Sequence, residues 1–148
     1  MYEFLDYRVL DVMTADPIGI PPKTSLAEAE QLFETHGFNS LPVVGEDREL
    51  LGLVTQLDLL KAFRFDAERM LPSYETIMAG PVEAAMETEL ETVRFRTPLT
   101  RVLERMVRLR RRSLPVVEEG KLVGMVSRRD VLGALRSAVA GERPDGPI

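Results

Sequence analysis

The sequence predicts an α/β chain (α+β in some schemes) made of two tandem copies of one small subdomain. Three observations predict it. Leu41-Pro42-Val43-Val44 returns as Leu114-Pro115-Val116-Val117, 73 positions later. Gly52, Val54, Thr55, Asp58 and Leu59 return as Gly124, Val126, Ser127, Asp130 and Val131, 72 positions later, so one residue has been dropped from the intervening turn. Upstream, Val12-Met13 matches Ala85-Met86, and Thr24-Ser25-Leu26 matches Thr97-Pro98-Leu99. This period exceeds the roughly 20–50 residues of common solenoid repeats. It points to a pair of subdomains sharing one core, with related clefts.

Local chemistry justifies the elements in order. Residues 5–13 read as a short helix with Leu5, Val9, Val12 and Met13 on its apolar side, ended by Asp16-Pro17. Ile18 and Ile20 suggest a short strand. Thr24 or Ser25 can cap the next helix, with Glu28 in its first turn and Gly37 as its stop. Leu41–Val44 and Leu50–Val54 read as strands, with Pro42 at an edge or a strand start because it has no amide to donate. Thr55 then starts a helix carrying Leu57, Leu59, Leu60, Ala62 and Phe63.

The second copy follows suit. Pro81 starts a helix containing Ala84–Met86, and Thr92–Phe95 is a short strand. Thr97-Pro98 opens a helix with Leu99, Val102, Leu103, Met106 and Val107 on one side and Arg101, Arg105, Arg108 and Arg112 opposite. Leu114–Val117 and Leu122–Val126 are strands, and Ser127 starts a helix through Val131, Leu132 and Leu135. The expected organisation is repeat one at 8–65, an ordered connector at 66–79, repeat two at 80–137 and a flexible tail at 138–148, the repeats packed face to face. Met70, Leu71-Pro72, Tyr74, Ile77 and Met78 mark the connector.

Composition narrows the function. The 148 residues suit one compact domain, whereas a lone half of about 55 would be marginal. The chain has no cysteine and one histidine, His36, so disulfides, thiolate nucleophiles and histidine-rich zinc clusters are excluded. His36 suits a helix end or the surface, and Met13, Met86, Met106 and Met125 suit packing. The acidic start, MYEFLDYRVLDVM, is neither export signal nor membrane span, which predicts a cytoplasmic protein. The net charge of −5 disfavours a general nucleic-acid binder. Residues 10–63 hold nine acids and three bases, and residues 82–135 hold eight acids and eleven bases. The copies therefore share a plan but differ in field.

The repeated constellation is an apolar strand, a glycine, a hydroxyl, two residues and an acid: Gly52-Leu53-Val54-Thr55-Gln56-Leu57-Asp58 and Gly124-Met125-Val126-Ser127-Arg128-Arg129-Asp130. Hydroxyl and acid three apart form a capping box with Asp in place of Glu. The same geometry suits a ribose phosphate. Helix-start amides and the hydroxyl attract phosphate, and a carboxylate one turn on accepts bonds from vicinal sugar hydroxyls. No catalytic pair, P-loop or dinucleotide fingerprint is present.

With Asp11-Val12-Met13-Thr14, the two Leu-Pro-Val-Val strands and these two stretches, the chain resembles the cystathionine-beta-synthase (CBS) pair, or Bateman module, over residues 5–135. The resemblance implies two α/β units, each with a three-stranded sheet and two main helices, packed as an intramolecular pseudo-dimer. It implies clefts that take AMP, ADP, ATP or S-adenosylmethionine, and a helix-mediated homodimer. Thr55 and Ser127 would approach phosphate or ribose. Asp58 and Asp130 would hold ribose hydroxyls. Ile18, Ile20, Glu91 and Val93 would line the base pocket, largely through backbone groups.

The two candidate sites differ. The first has Thr14, Thr55 and Asp58 and little positive charge. The second has Ser127 and Asp130, with Arg112, Arg128 and Arg129 nearby. Glu87 stands where Thr14 stood, and Glu87, Glu89 and Glu91 crowd that segment. The arginines favour the second site for an anionic nucleotide. The leading reading is a non-catalytic module that binds an adenosine ligand and modulates an unidentified partner protein, without membrane insertion. Its rivals are an interaction module without nucleotide and, less favoured, a regulator contacting nucleic acid through the arginine stripe.

Overall fold

The computed structural model describes residues 2–64 and 73–141. Its elements, in order, are α1 (Val9–Val12), β1 (Thr14–Ala15), α2 (Leu26–His36), β2 (Ser40–Val44), β3 (Leu50–Thr55), α3 (Gln56–Lys61), α4 (Tyr74–Met78), α5 (Leu99–Leu109), β4 (Ser113–Glu118), β5 (Lys121–Ser127) and α6 (Arg128–Ala140). Short 3₁₀ turns span Tyr2–Asp6 and Val82–Ala84.

These elements gather into two compact units. One is continuous, Ile18–Leu90; the other is split, Met1–Pro17 with Glu91–Ile148. Repeat and unit therefore do not coincide. Residues 8–17 fold with the second Leu-Pro-Val-Val hairpin, and residues 80–90 fold with the first. Strand pairing causes this exchange. β1 pairs antiparallel with β5, Thr14 opposite Met125 and Ala15 opposite Gly124. Glu87 makes the matching antiparallel bridge to Leu53. Each approach needs a glycine. A Cβ on Gly124 would lie 2.6 Å from Met13 Sδ and 3.0 Å from the Thr14 oxygen; one on Gly52 would lie 2.5 Å from Met86 Sδ and 2.8 Å from the Glu87 oxygen.

In the split unit the sheet order is β1-β5-β4, and the β4–β5 turn uses positive φ at Glu119 (51°) and Gly120 (78°), as a tight hairpin requires. In the continuous unit β2 pairs with β3. The two expected short strands contribute single parallel bridges, Val93 to Val116 and Ile20 to Val43. Pro42 lies inside β2, not at its end. Ile20 donates to the Pro42 carbonyl and accepts from Val44, so Pro42's nitrogen faces the side where pairing lasts one residue. Its missing amide is tolerated there. Pro115 repeats this arrangement with Val93.

Each unit has its own core. Val9, Leu99, Val102, Leu114, Val116 and Val126 are almost fully buried in the split unit, and Ala29, Leu41, Val43, Val54 and Val82 in the continuous one. Burial of each large aliphatic side chain contributes about 1.5–3 kcal/mol. The four methionines fit the packing expectation: Met13 and Met106 are buried, Met86 packs on the continuous core and Met125 is half-buried. His36 is exposed at the last turn of α2 and stacks on Phe38.

Several local expectations are corrected. Residues 5–13 are not one helix: a 3₁₀ turn and α1 are separated at Tyr7-Arg8, Leu5 is exposed, and Phe4 and Tyr7 enter the core instead. A 3₁₀ turn aims side chains differently from an α-helix, which explains the exchange. Leu57, Leu60 and Leu132, which the helix readings named without a face, are exposed. α6 runs to Ala140 with Ala138 buried, so the tail does not begin at 138, and residues 142–148 lie outside the described residues. In the connector Ser73 caps α4 and Met78 is buried, while Met70 and Leu71-Pro72 lie outside the described residues.

Candidate functional site

The repeated constellation becomes the same object in both units: a strand running into a capped helix. At α3, Thr55 Oγ1 accepts from the Asp58 amide (3.3 Å), and Asp58 Oδ2 accepts from the Thr55 amide (2.8 Å) and hydroxyl (3.0 Å). At α6, Ser127 Oγ accepts from the Asp130 amide (3.2 Å), and Asp130 Oδ2 accepts from the Ser127 amide (2.7 Å). The capping box is thus built as the spacing predicts. Because each box uses Oδ2, Oδ1 of either acid stands outside it. Asp58 is buried and Asp130 half-buried.

The surroundings differ, and the strand exchange decides how. Whereas Thr55 and Asp58 belong to the continuous unit, Thr14 belongs to the split one. It sits opposite Met125, two residues before Ser127, in the unit of Asp130. Glu87 sits opposite Leu53, two residues before Thr55, in the unit of Asp58. Glu87, which the sequence reading set beside the second constellation, thus lies in the unit of the first. Reading along the chain cannot detect this, because the pairing partner is remote in sequence.

Arg112 is exposed, and its carbonyl accepts from the Arg128 amide. Arg128 Nε donates to the Arg111 carbonyl at 2.8 Å, and its side chain lines a groove between α5 and α6. The carbonyl of Arg112 and the hydroxyl of Ser127 thus hold two of the three first-turn amides of α6, with the Arg129 amide between them. The arginine stripe of α5 also has local partners: Arg105 donates to the Thr92 carbonyl, and Arg108 pairs with Glu104.

The expected base-pocket residues divide. Ile20 and Val93 are buried, and both backbone polar groups of each are engaged within their own sheets. Their amides are occupied, so they shape the segment and have no N–H left to donate. Ile18 and Glu91 are exposed. One residue went unnoticed in the sequence: Ser40, opposite Thr55 in the β2–β3 register. Its hydroxyl is buried with no hydrogen-bond partner among the described residues. Such an orphan carries a desolvation cost that a ligand can relieve. Its position before Leu-Pro-Val-Val, matched by Ser113, was the available signal.

The CBS-domain family model matches twice, at residues 9–64 and 82–137. The chain belongs to the CBS-domain family. An uncharacterized 17.7 kDa protein from Acidianus ambivalens is 30% identical over 129 residues, covering 86% of this chain and 73% of that protein. The structure of CBSX2 in complex with AMP is 28% identical with a TM-score of 0.76, covering 93% of this chain and 99% of the other. The CBS pair of MJ0100, in complex with 5′-methylthioadenosine and S-adenosyl-L-methionine, is 26% identical with a TM-score of 0.70, covering 85% and 97%. The chain spans only 15% of the related A-adding tRNA nucleotidyltransferase of Aquifex aeolicus. Among the described residues no helix is long and apolar enough to cross a membrane.

Proposed function

We propose that this CBS pair is a non-catalytic regulatory module. It binds an adenosine-containing ligand at the starts of α3 and α6 and passes its occupancy to a partner protein. The carrying observation is the twice-built capping box, which holds each acid rigidly by Oδ2 while Oδ1 stays outside. In this reading Asp130 and Asp58 accept from ribose hydroxyls, and Ser127 and Thr55 flank the phosphate. Ile18 and Glu91 face the base, and Ile20 and Val93 hold their segments in place. The structures of CBSX2 with AMP and of MJ0100 with adenosine derivatives support the ligand class.

The α6 start is the stronger anion site. α6 has 13 residues against six in α3, so its terminal dipole is better developed. Thr14 and Arg112 accompany it, whereas Glu87 accompanies α3. We assign phosphate to Arg112 and the Arg129 amide more than to Arg128, whose Nε is held by Arg111. Calorimetry with AMP, ADP, ATP and S-adenosylmethionine tests this reading. Saturable binding weakened by Asp130→Ala supports it. No saturation by any of the four, on folded protein, overturns it in favour of the interaction module; salt-sensitive oligonucleotide binding would favour the nucleic-acid reading.

One observation favours self-association as well. Leu103, Met106, Val107, Leu132 and Leu135 form an apolar groove between α5 and α6, with Val107 71% and Leu132 61% exposed. We propose a homodimer through this face, which sedimentation of wild type against Val107→Glu checks.

A further inference from the structure

The two units share one local frame where their long helices begin. In the split unit Leu99 donates its amide to the Tyr7 carbonyl (3.1 Å), Tyr7 donates to Phe4 (3.2 Å), and Arg8 bridges to Pro98. In the continuous unit Leu26 donates to the Gly80 carbonyl (2.9 Å), Gly80 donates to Ile77 (3.0 Å), and Pro81 bridges to Ser25. Gly80 therefore occupies the place of Tyr7. Tyr7 is only 6% exposed and belongs to the core that includes Leu99 and Ala134. Gly80 carries no ring. Beside it lies a cavity of about 350 Å³, lined among others by Leu26, Asp58, Lys61, Ala62, Ile77 and Ala84. Leu26 and Ala62 are the repeat counterparts of Leu99 and Ala134. The pocket thus lies where the sister unit keeps a phenol.

We propose that this cavity is a binding site for a small single-ring aromatic molecule bearing a hydrogen-bond donor, such as a phenol or aryl amine. The sister unit supplies the template for size and shape: Tyr7 is the covalently attached version of the occupant. The volume lies within the range of about 300–1,000 Å³ typical of small-molecule pockets. Leu26, Ala62, Ile77 and Ala84 give apolar walls. Asp58, 7% exposed, is the acidic group among the described lining residues, with Oδ2 already bound by Thr55. A buried carboxylate is stabilised by further donors, which selects a ligand that can donate. The lining holds Lys61 as well as Asp58, so it is the surrounding field that disfavours an anionic ring: residues 18–90 hold 13 acids and 5 bases, a net −8. This reading rests on the proposed adenosine site to the extent that both occupants would use Asp58, so a ring here competes with an adenosine ligand at the start of α3, while the α6 site with Asp130 lies in the other unit.

The experiment titrates the full chain with p-cresol, tyramine and phenylacetate by calorimetry, and repeats it on Gly80→Tyr. Gly80 is outside the left-handed region, and a Cβ there meets the Ile77 carbonyl oxygen at 3.2 Å, a tight contact that a shift of a few tenths of an ångström relieves. The expected result is one saturable site for p-cresol and tyramine, at least tenfold weaker for phenylacetate. Gly80→Tyr should weaken both donors at least tenfold, raise the melting temperature and leave the Asp130-dependent part of AMP binding, in the other unit, unchanged. Equal affinity in folded Gly80→Tyr, no saturation by either donor at millimolar concentration, or a preference for phenylacetate would overturn the proposal. Should Gly80→Tyr fail to fold, methyl NMR on the wild type decides. p-Cresol shifts centred on Ala62, Ala84 and Ala85 support the site, and shifts centred elsewhere refute it.

Discussion

The continuous and split units have the same hairpin, the same capping box and the same glycine under a crossing strand, yet they have diverged in charge and filling. Residues 18–90 carry a net −8, while the remainder holds 11 acids and 14 bases, a net +3. The split unit fills its helix-start corner with Tyr7; the continuous unit leaves Gly80 and a cavity. The contrast teaches that duplication keeps backbone hydrogen bonds, which many side chains can serve, and frees side-chain volume and charge to specialise. A change at matched positions should therefore have unequal effects.

The largest inequality is expected at the corner itself. Tyr7→Ala opens in the split unit the space its sister already has, and should cost about 3–5 kcal/mol by analogy with buried aromatic truncations. Gly80→Ala should change stability little. Thermal or urea unfolding of both variants measures the gap, and near-equal stabilities would break the idea that only one corner is filled.

The crossing glycines come next. Gly52→Ala and Gly124→Ala each push a methyl group toward a backbone oxygen, at 2.8 Å and 3.0 Å. Overpacking of this kind costs about 1–3 kcal/mol. Gly52→Ala should be the worse because its oxygen is closer, and a reversed order in chemical denaturation would show that the crossing at Gly124 is the tighter one.

Ligand affinity sharpens the comparison further. Asp130→Ala should weaken a ribonucleotide by about 1–3 kcal/mol through lost charged hydrogen bonds. Its effect on a 2′,3′-dideoxy analogue should be much smaller, and Asp58→Ala should matter less for an anionic nucleotide. Both substitutions also remove a capping-box partner and should lower stability by about 1 kcal/mol. Equal affinity losses for ribose and dideoxy ligands would reduce Asp130 to a cap.

The smallest effect concerns Glu118, at the far end of β4 from Ser113. Its hydrogen bond from Arg94, then that from the Phe95 amide, holds its carboxyl below the usual range. A lowered folded value means the pair stabilises above the unfolded carboxylate range, and that contribution fades as pH falls through the lower folded value. Both groups are at the surface, so screening keeps the effect small. Melting curves from pH 7 to pH 3 should therefore show Glu118→Gln with slightly less acid dependence than wild type, and parallel curves would remove the pair from the account.

Much of this was legible in the chain, for identifiable reasons. The Leu-Pro-Val-Val strands, the Ser25 cap, the Gly37 stop (φ 66°) and the Thr55/Asp58 and Ser127/Asp130 boxes depend on interactions within a few residues. Such interactions leave their signature in spacing. The repeat likewise announced two related units, since matching residues demand matching environments. Leu5 misled because apolar character does not reveal which face of a short helix meets a core. The sequence by itself determined the elements, their caps and their duplication. Only the tertiary structure decided that Thr14 stands in the unit of Ser127 and Glu87 in that of Thr55, that the Ser40 hydroxyl has no partner among the described residues, and that Gly80 leaves the space Tyr7 fills. Strand partnership and cavity filling are contacts between residues far apart in the chain, and no local pattern encodes which remote backbone will arrive.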